Sequence, residues 1–326
     1  MTGATTPGGA RPRATRVTVI GDALIDELRD LLGAREFVGG AALNVAVGLS
    51  LLGDDVTLVA MVGDDEPGRR IRAYLADYGV RLVATPSPLG TSRAISDRRD
   101  GEPRYEFNEA ARRRRLDFDD RARSAIAGAD LVVVSCFPFD DARQLDALVE
   151  AIDEPERRLV VDGNPREGML RDRAAFLAGF ERVAARALLV KVGDEDAALL
   201  LGDGLDAFVA RLRGAASVDA PDASRTRPLA VLATAGREGA SVHHGGVHVH
   251  AGIASLPGPV IDTMGAGDAT LSAVAHHIGH GGMPVDEASW SVALDAAMTI
   301  AAATVRHEGA LLRVPHLVGP ADALGS

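Results

Sequence analysis

A chain of 326 residues with 47% apolar content can bury a large core, as one large domain or two smaller ones, which excludes a disordered protein. Its formal net charge of −11 argues against nucleic acid or an anionic membrane as the main partner. The single cysteine, Cys136, excludes an internal disulfide, and no run is long and apolar enough to span a membrane.

Thr2 to Thr15 is rich in Gly, Pro, Thr and Arg and has no apolar targeting segment. Residues 1–15 are therefore expected to be a disordered leader, and the protein to be cytoplasmic. Val17–Ile20 predicts a strand. Ala42, Val45, Ala46, Leu49 and Leu52 recur at helical spacing, and Gly53 ends that helix. Val56–Val62 predicts a strand, and Ile71, Leu75 and Tyr78 mark a helix stopped by Gly79. Further strands are predicted at Leu131–Ser135, where Cys136 reads as a packed core thiol, and at Leu159–Asp162, Ala187–Val192 and Leu229–Thr234. Helical patterns lie between most of them. This alternation implies an α/β fold with a largely parallel sheet covered by helices on both faces.

Two segments break the alternation, 26–38 and 89–107. In the second, Thr91–Asp97 and Arg104–Phe107 flank a turn at Gly101 and read as an antiparallel hairpin. Such strands do not fit a parallel sheet, so a separate small sheet is expected, leaving 16–25, 39–88 and 108–326 as the core. Gly214–Pro228 lacks periodicity and predicts a mobile surface loop. Pro259-Val260-Ile261 reads as a short strand before a long helical pattern from Ala269 to His277.

Between that strand and helix stands Asp262-Thr263-Met264-Gly265-Ala266-Gly267-Asp268. Small residues at a strand-to-helix turn let a phosphate approach the backbone, where free N–H groups and the helix dipole favour negative charge. Asp268 at the mouth of such a turn reads either as a helix cap or as a base that takes a proton from an attacking hydroxyl. The segment resembles the D-T-x-G-A-G-D signature of the ribokinase-like (PfkB) carbohydrate kinases at every fixed position. Gly39-Gly40-Ala41-Ala42-Leu43-Asn44-Val45-Ala46 resembles the family's other signature, G-G-x-x-x-N-x-A.

The resemblance implies a ribokinase-like three-layer sandwich with a mostly parallel central sheet, and makes 26–38 and 89–107 a β-sheet lid over a sugar site. It implies ATP-dependent phosphorylation with Mg²⁺, Asp268 as catalytic base, and the Gly265-Ala266-Gly267 backbone as an anion hole. By the same resemblance Gly40, Asn44 and Asp26 hold the sugar, whereas Asp26 on its own also reads as a solvated loop carboxylate. Asp22 reads as a residue that caps or orients its turn. Many ribokinases have lysine where Ala41 stands, which leans away from ribose.

Asp162-Gly163-Asn164-Pro165-Arg166 resembles the D-x-N-x-R turn of fructokinase-like members, with Asn164 and Arg166 facing substrate; it reads equally as an Asx turn with an exposed Arg. Counting back from Leu201-Gly202, Gly193 and Asp196 replace the Asn and Glu of the family's magnesium-organising N-x-x-E motif. The shorter Asp196 still suits a water-bridged Mg²⁺, and it also suits a plain acidic helix start. Thr234, Gly236 and Gly239 resemble a T-x-G-x-x-G nucleotide loop, and the resemblance implies a monovalent cation such as K⁺ at Asp262, as at the matching position of some family members. His243, His244, His248 and His250 fit a hairpin better than a zinc site. Arg112–Arg115, followed by Asp117, Asp119 and Asp120, reads as a salt-paired helix start rather than a nucleic-acid patch. There is no G-x-x-x-x-G-K-[ST] loop, and Thr270 stands where a dinucleotide fingerprint needs its third glycine.

The Gly21–Asp26 opening, the Tyr105-Glu106-Phe107 strand and the Asp162–Arg166 turn resemble fructokinases, so fructose or a related hexose or ketose is the expected substrate. A 2-keto-3-deoxygluconate kinase, a ribokinase or a nucleoside kinase are the alternatives. A 6-phosphosugar would call on Arg93 and Arg104, and a non-catalytic sugar-binding regulator is the alternative of another class. The apolar residues of the two lid segments (Leu28, Leu31, Leu32, Phe37, Ala94, Ile95, Tyr105 and Phe107) exceed what a small sheet buries on itself, so a homodimer through the lid is expected.

Overall fold

Unbroken apolar runs emerge as strands, and the 3.6-residue patterns as helices. The computed structural model describes residues 13–31, 33–97, 104–154, 158–218 and 228–315. Among them the strands are β1 (Arg16–Gly21), β2 (Leu24–Asp30), β3 (Gly33–Gly39), β4 (Asp55–Gly63), β5 (Arg81–Ser87), β6 (Ser92–Asp97) and β7 (Arg104–Phe107). They continue with β8 (Leu131–Ser135), β9 (Leu159–Asp162), β10 (Leu189–Gly193), β11 (Ala230–Thr234), β12 (Ala240–His244) and β13 (Val247–Ala251). The helices are α1 (Ala41–Leu51), α2 (Glu66–Asp77), α3 (Glu109–Arg112), α4 (Asp120–Ala127), α5 (Ala142–Ile152), α6 (Arg173–Ala184), α7 (Asp194–Leu201), α8 (Leu205–Val218), α9 (Ala266–Gly281) and α10 (Glu287–Thr304). No helix of the described residues is long and apolar enough to cross a membrane.

Nine strands form one sheet in the order β13-β12-β11-β10-β9-β8-β1-β4-β5. Pairing is parallel from β5 to β11, and β12 and β13 add antiparallel at one edge. Successive strand residues face opposite sides. Val17, Val19 and Val133 share one core with Leu49 of α1, Val274 of α9 and Trp290 of α10. Ile20, Val132 and Val134 share the other with Leu148 of α5, Phe180 of α6 and Phe208 of α8. The result is the expected three-layer sandwich. Part of the acidic surplus serves the helix starts: the side chains of Asp65, Asp119, Asp141, Asp172 and Asp286 each accept backbone N–H groups in a first helical turn.

The remaining four strands make a small sheet in the order β3-β2-β6-β7. β6 and β7 pair antiparallel, as the hairpin reading expects, and β2 runs parallel to β6. Leu24, Ala94 and Phe107 of this sheet cluster with Ala41, Ala111, Cys136 and Met169, which seats it on the core. The apolar surplus behind the homodimer expectation is correspondingly smaller. Leu28, Ala94 and Phe107 are buried within the chain, while Leu31 stays 87% exposed. Leu32 and Gly101 lie outside the described residues. On the other face Arg29 pairs with Glu27, and Arg93 with Glu27 and Glu36, so that face is solvated through charge.

Four local expectations differ from the structure. Arg13 of the expected leader pairs with Asp130, and Thr15 is buried; residues 1–12 lie outside the described set. β5 is a strand that the sequence reading passes over; it carries Pro86, which an edge position tolerates. Residues 214–218 of the expected loop complete α8, because its Ala-rich run favours helix, and 219–227 lie outside the described residues. Pro259–Ile261 forms no strand. The N–H groups of Ile261 and Asp262 bond instead to Val305 O beyond α10, at 2.8 and 3.2 Å.

Candidate active site

The chain passes from β1 out to β4 and β5, then returns to β8 on the other side of β1. The carboxyl ends of strands at such a reversal form a crevice. Here β1, β8, β9, β10 and β11 end next to one another and lead into Asp22, Cys136, Asp162, Gly193 and Thr234. Two residues just beyond these ends take left-handed backbone: Cys136 with φ 52° and Asn164 with φ 41°. Strain of this kind collects at functional sites.

α9 opens over this crevice. Gly265 precedes it at φ 77°, and a Cβ there would lie 2.6 Å from Ala310, so only glycine fits. No side chain caps the helix. Among the described residues the N–H groups of Gly265, Gly267 and Asp268 meet no acceptor, the state of an anion-binding helix start. Ala266 departs from the expected anion hole, because its N–H bonds to Thr263 O at 3.3 Å. Asp268 accepts a 2.8 Å hydrogen bond from the Asn44 amide. Withdrawal from bulk water raises its carboxyl to about 7, against the lowering pull of Asn44. The two signature segments, 224 residues apart, thus meet at one hydrogen bond.

Beneath the Gly loop lies Lys191, whose role the sequence reading missed. It is the only lysine of the chain and stands inside an apolar strand, a signal in itself since lysines are rarely buried. Its ammonium bonds Asp162 at 3.0 Å, and a Cβ on Gly267 would touch it at 3.5 Å. Burial alone would lower its pKa, but Asp162, Asp196 and Asp268 outweigh that and keep it above the ordinary value. Ser135 donates to the other oxygen of Asp162 at 3.2 Å. Asp196 is buried and accepts from Gly193 N at 2.8 Å; burial raises it to about 6 while Lys191 pulls it down.

On the β1 side, Asp22 accepts from Ala42 N at 2.9 Å, so its carboxylate serves the start of α1, 20 residues away, rather than its own turn. Asp26 enters from β2. A Cβ on Gly39 would lie 2.1 Å from its carboxylate, and one on Gly40 (φ 109°) would crowd Ala23, so the paired glycines let β2 and the turn before it approach α1. Burial first, then Asp22, raises Asp26 to about 7, with Arg166 opposing. Arg166 is half-exposed and 3.7 Å from Glu195. Arg114 breaks the expectation for its charge run: it is buried and donates to Cys136 O at 3.3 Å, while Arg113 and Arg115 pair at the surface.

Thr234 ends β11 beside Gly193, and its hydroxyl bonds Val192 O at 3.4 Å. Gly236 has a left-handed backbone (φ 48°), and a Cβ there would make ordinary contact with the Asp194 carboxylate at 3.9 Å. Gly239 has a packing reason of its own, since a Cβ there would lie 2.2 Å from Ala251 O. Asp262 accepts from Met264 N at 3.1 Å and Gly309 N at 3.2 Å, tying the Gly loop to the turn after α10.

Residues 15–317 match the pfkB family of carbohydrate kinases. A fructokinase of Salmonella typhimurium is 28% identical over 309 residues, covering 92% of this chain and 96% of that one. A fructokinase of Rhizobium leguminosarum bv. trifolii is 30% identical over 265 residues, 76% of this chain and 75% of that one. A Vibrio cholerae O395 fructokinase structure, in its fructose, ADP and potassium ion bound form, superposes with a TM-score of 0.73 at 21% identity, over 91% of this chain and 94% of that one. Aminoimidazole riboside kinase from Salmonella enterica superposes at 0.70 and 22% identity, over 90% and 95%. The match spans nearly the whole sequence and carries both signatures to one cleft; the chain belongs to the pfkB family of carbohydrate kinases.

Proposed function

We propose that the chain transfers the γ-phosphoryl group of ATP to a hydroxyl of fructose or a closely related ketose or hexose. The observation that carries this reading is Asp268: a withdrawn carboxylate, held by Asn44, on the first turn of an uncapped helix. Asp268 takes the proton of the attacking hydroxyl, and the N–H groups of Gly265 and Gly267 with Lys191 below them offset the charge spreading over the transferred phosphoryl. Asp26, Gly40 and Asn44 hold the sugar, Thr234 and Gly236 line the nucleotide side, and the small sheet closes over the sugar to exclude water. Asp196 suits Mg²⁺ held through water, since Gly193 engages one of its oxygens and it lies within the electrostatic reach of Lys191, Asp162 and Arg166. Magnesium supplies charge neutralisation between the phosphates when bound. Asp262 suits a monovalent cation at the base of the Gly loop. Arg166 favours a second reading, a sugar acid such as 2-keto-3-deoxygluconate, because its guanidinium is half-exposed and, among the described residues, pairs only at 3.7 Å with Glu195.

Asp26→Ala separates sugar binding from the rest. It is expected to lower kcat/KM for the sugar by about 1.5–3 kcal/mol, the range for hydrogen bonds to charged groups, and to leave ATP affinity unchanged. Calorimetry showing lost ATP binding with intact sugar binding would overturn the assignment.

The pH profile follows from the raised carboxyls. Below about 7 Asp268 is protonated and cannot accept a proton, and Asp26 loses its charge with it. The kcat/KM for the sugar should therefore rise with pH through about 7 and then level; a profile flat from about pH 5.5 to about 8 would contradict the base. Stability runs the other way. Both groups ionise at 3.8 when unfolded, so the cost of charging them in the fold grows from there up to about 7.

A further inference from the structure

Away from the cleft, three ligating side chains converge near the far end of α9. Asp54 lies in the turn between α1 and β4, and its side chain is fully buried. His276 and His280 stand one helical turn apart, with rings 4.3 Å from each other. Both present Nδ1 to the Asp54 carboxylate: His276 at 2.9 Å from Oδ2, His280 at 3.5 Å from Oδ1. The three donor atoms lie within 4.8 Å of one another.

An ion pair alone explains one histidine, but not two aimed at one carboxylate. Among the described residues Asp54 Oδ1 is buried without a hydrogen-bond partner, a costly state for a polar atom. Among the described residues His280 Nδ1 also reaches His276 O at 3.2 Å and Thr15 Oγ1 at 3.4 Å, so a bound ion would compete with a backbone hydrogen bond at that nitrogen. Ligand bonds of about 2.0–2.1 Å in a tetrahedron set neighbouring donors about 3.3 Å apart; each imidazole lies near that distance from its own carboxylate oxygen, at 2.9 Å from Oδ2 and 3.5 Å from Oδ1. Both imidazoles are partly exposed, at 28% and 35%, so water reaches a fourth position. The helix C-terminus favours a cation, although Arg158 already donates to the carbonyls of Ile278 and Gly279.

We propose that Asp54, His276 and His280 bind a divalent transition ion of the zinc class, clamping the end of α9 to the α1–β4 turn. Two imidazoles and one carboxylate suit Zn²⁺, Co²⁺ or Ni²⁺ and not Mg²⁺, which demands oxygen donors. The site is separate from the kinase chemistry, yet shares its helix: His276 follows Asp268 by eight residues, about 12 Å along the axis.

The test is calorimetric titration of metal-stripped full-length protein with ZnCl₂, together with thermal unfolding. One Zn²⁺ per chain should bind and raise Tm, and millimolar Mg²⁺ should not displace it. His276→Gln with His280→Gln should weaken binding by more than the about 10–100-fold typical of losing an outer partner, and abolish the Tm shift. His280→Gln alone, at a half-exposed position, should weaken binding in the same direction if the double variant folds poorly. His248→Gln, on the stacked surface pair with His243, should change nothing. Absence of zinc binding to the wild type, or equal binding by the double variant, would overturn the proposal.

Discussion

Replacing Asp268 by Asn should lower kcat by about 10²–10⁴-fold, the usual worth of a positioned general base. The substitution keeps size and shape, and the new amide still meets Asn44, so the helix start and its free N–H groups stay in place. ATP affinity should hold, because in the proposed mechanism the phosphate meets the backbone and Lys191 rather than the carboxylate. The acid limb of kcat near 7 should vanish with the carboxylate, leaving in kcat/KM only the part that Asp26 contributes through sugar binding. Steady-state kinetics with the preferred sugar reads all three effects. A variant with near-normal kcat would sink the assignment of the base.

Lys191→Met should destabilise the fold by about 3–5 kcal/mol, the range for breaking a buried ion pair from one side. Asp162 is fully buried, and its charge is balanced by the ammonium 3.0 Å away and a 3.2 Å bond from Ser135. A methionine fills the space but leaves that carboxylate unpaired under the Gly loop. Pairing the change with Asp162→Asn removes both charges and should restore part of the loss. Urea unfolding of the two variants measures this. Stability within about 1 kcal/mol of wild type in the single variant would show that the pair does not hold the cleft floor.

The residues that sequence made legible are those whose chemistry is written locally. Asp268, Gly265 and Gly267 sit in one seven-residue turn before a helix, and Gly40 and Asn44 open another helix. Their spacing states what the backbone must do. Lys191 was hidden because its partner lies 29 residues away and only the parallel register of β9 and β10 sets them side by side. Arg114 was hidden by its neighbours: Arg113 and Arg115 are surface residues, and a run of four arginines reads as one solvated patch although its third member turns inward. The strand β5 carries too little apolar alternation to stand out at an exposed edge. The Asp54–His276 contact spans 222 residues, and nothing near either residue announces it.

The most direct test of the account is ADP formation by the purified protein with ATP and Mg²⁺ across fructose, 2-keto-3-deoxygluconate, ribose and a nucleoside, with the product followed by ³¹P NMR. The account predicts sugar-dependent ADP release matched by a phosphorylated sugar, highest kcat/KM for fructose or a close relative, and loss of both signals in Asp268→Asn. Calorimetric binding of a sugar with no ADP formed from any of them would contradict it and favour a sugar-binding regulator.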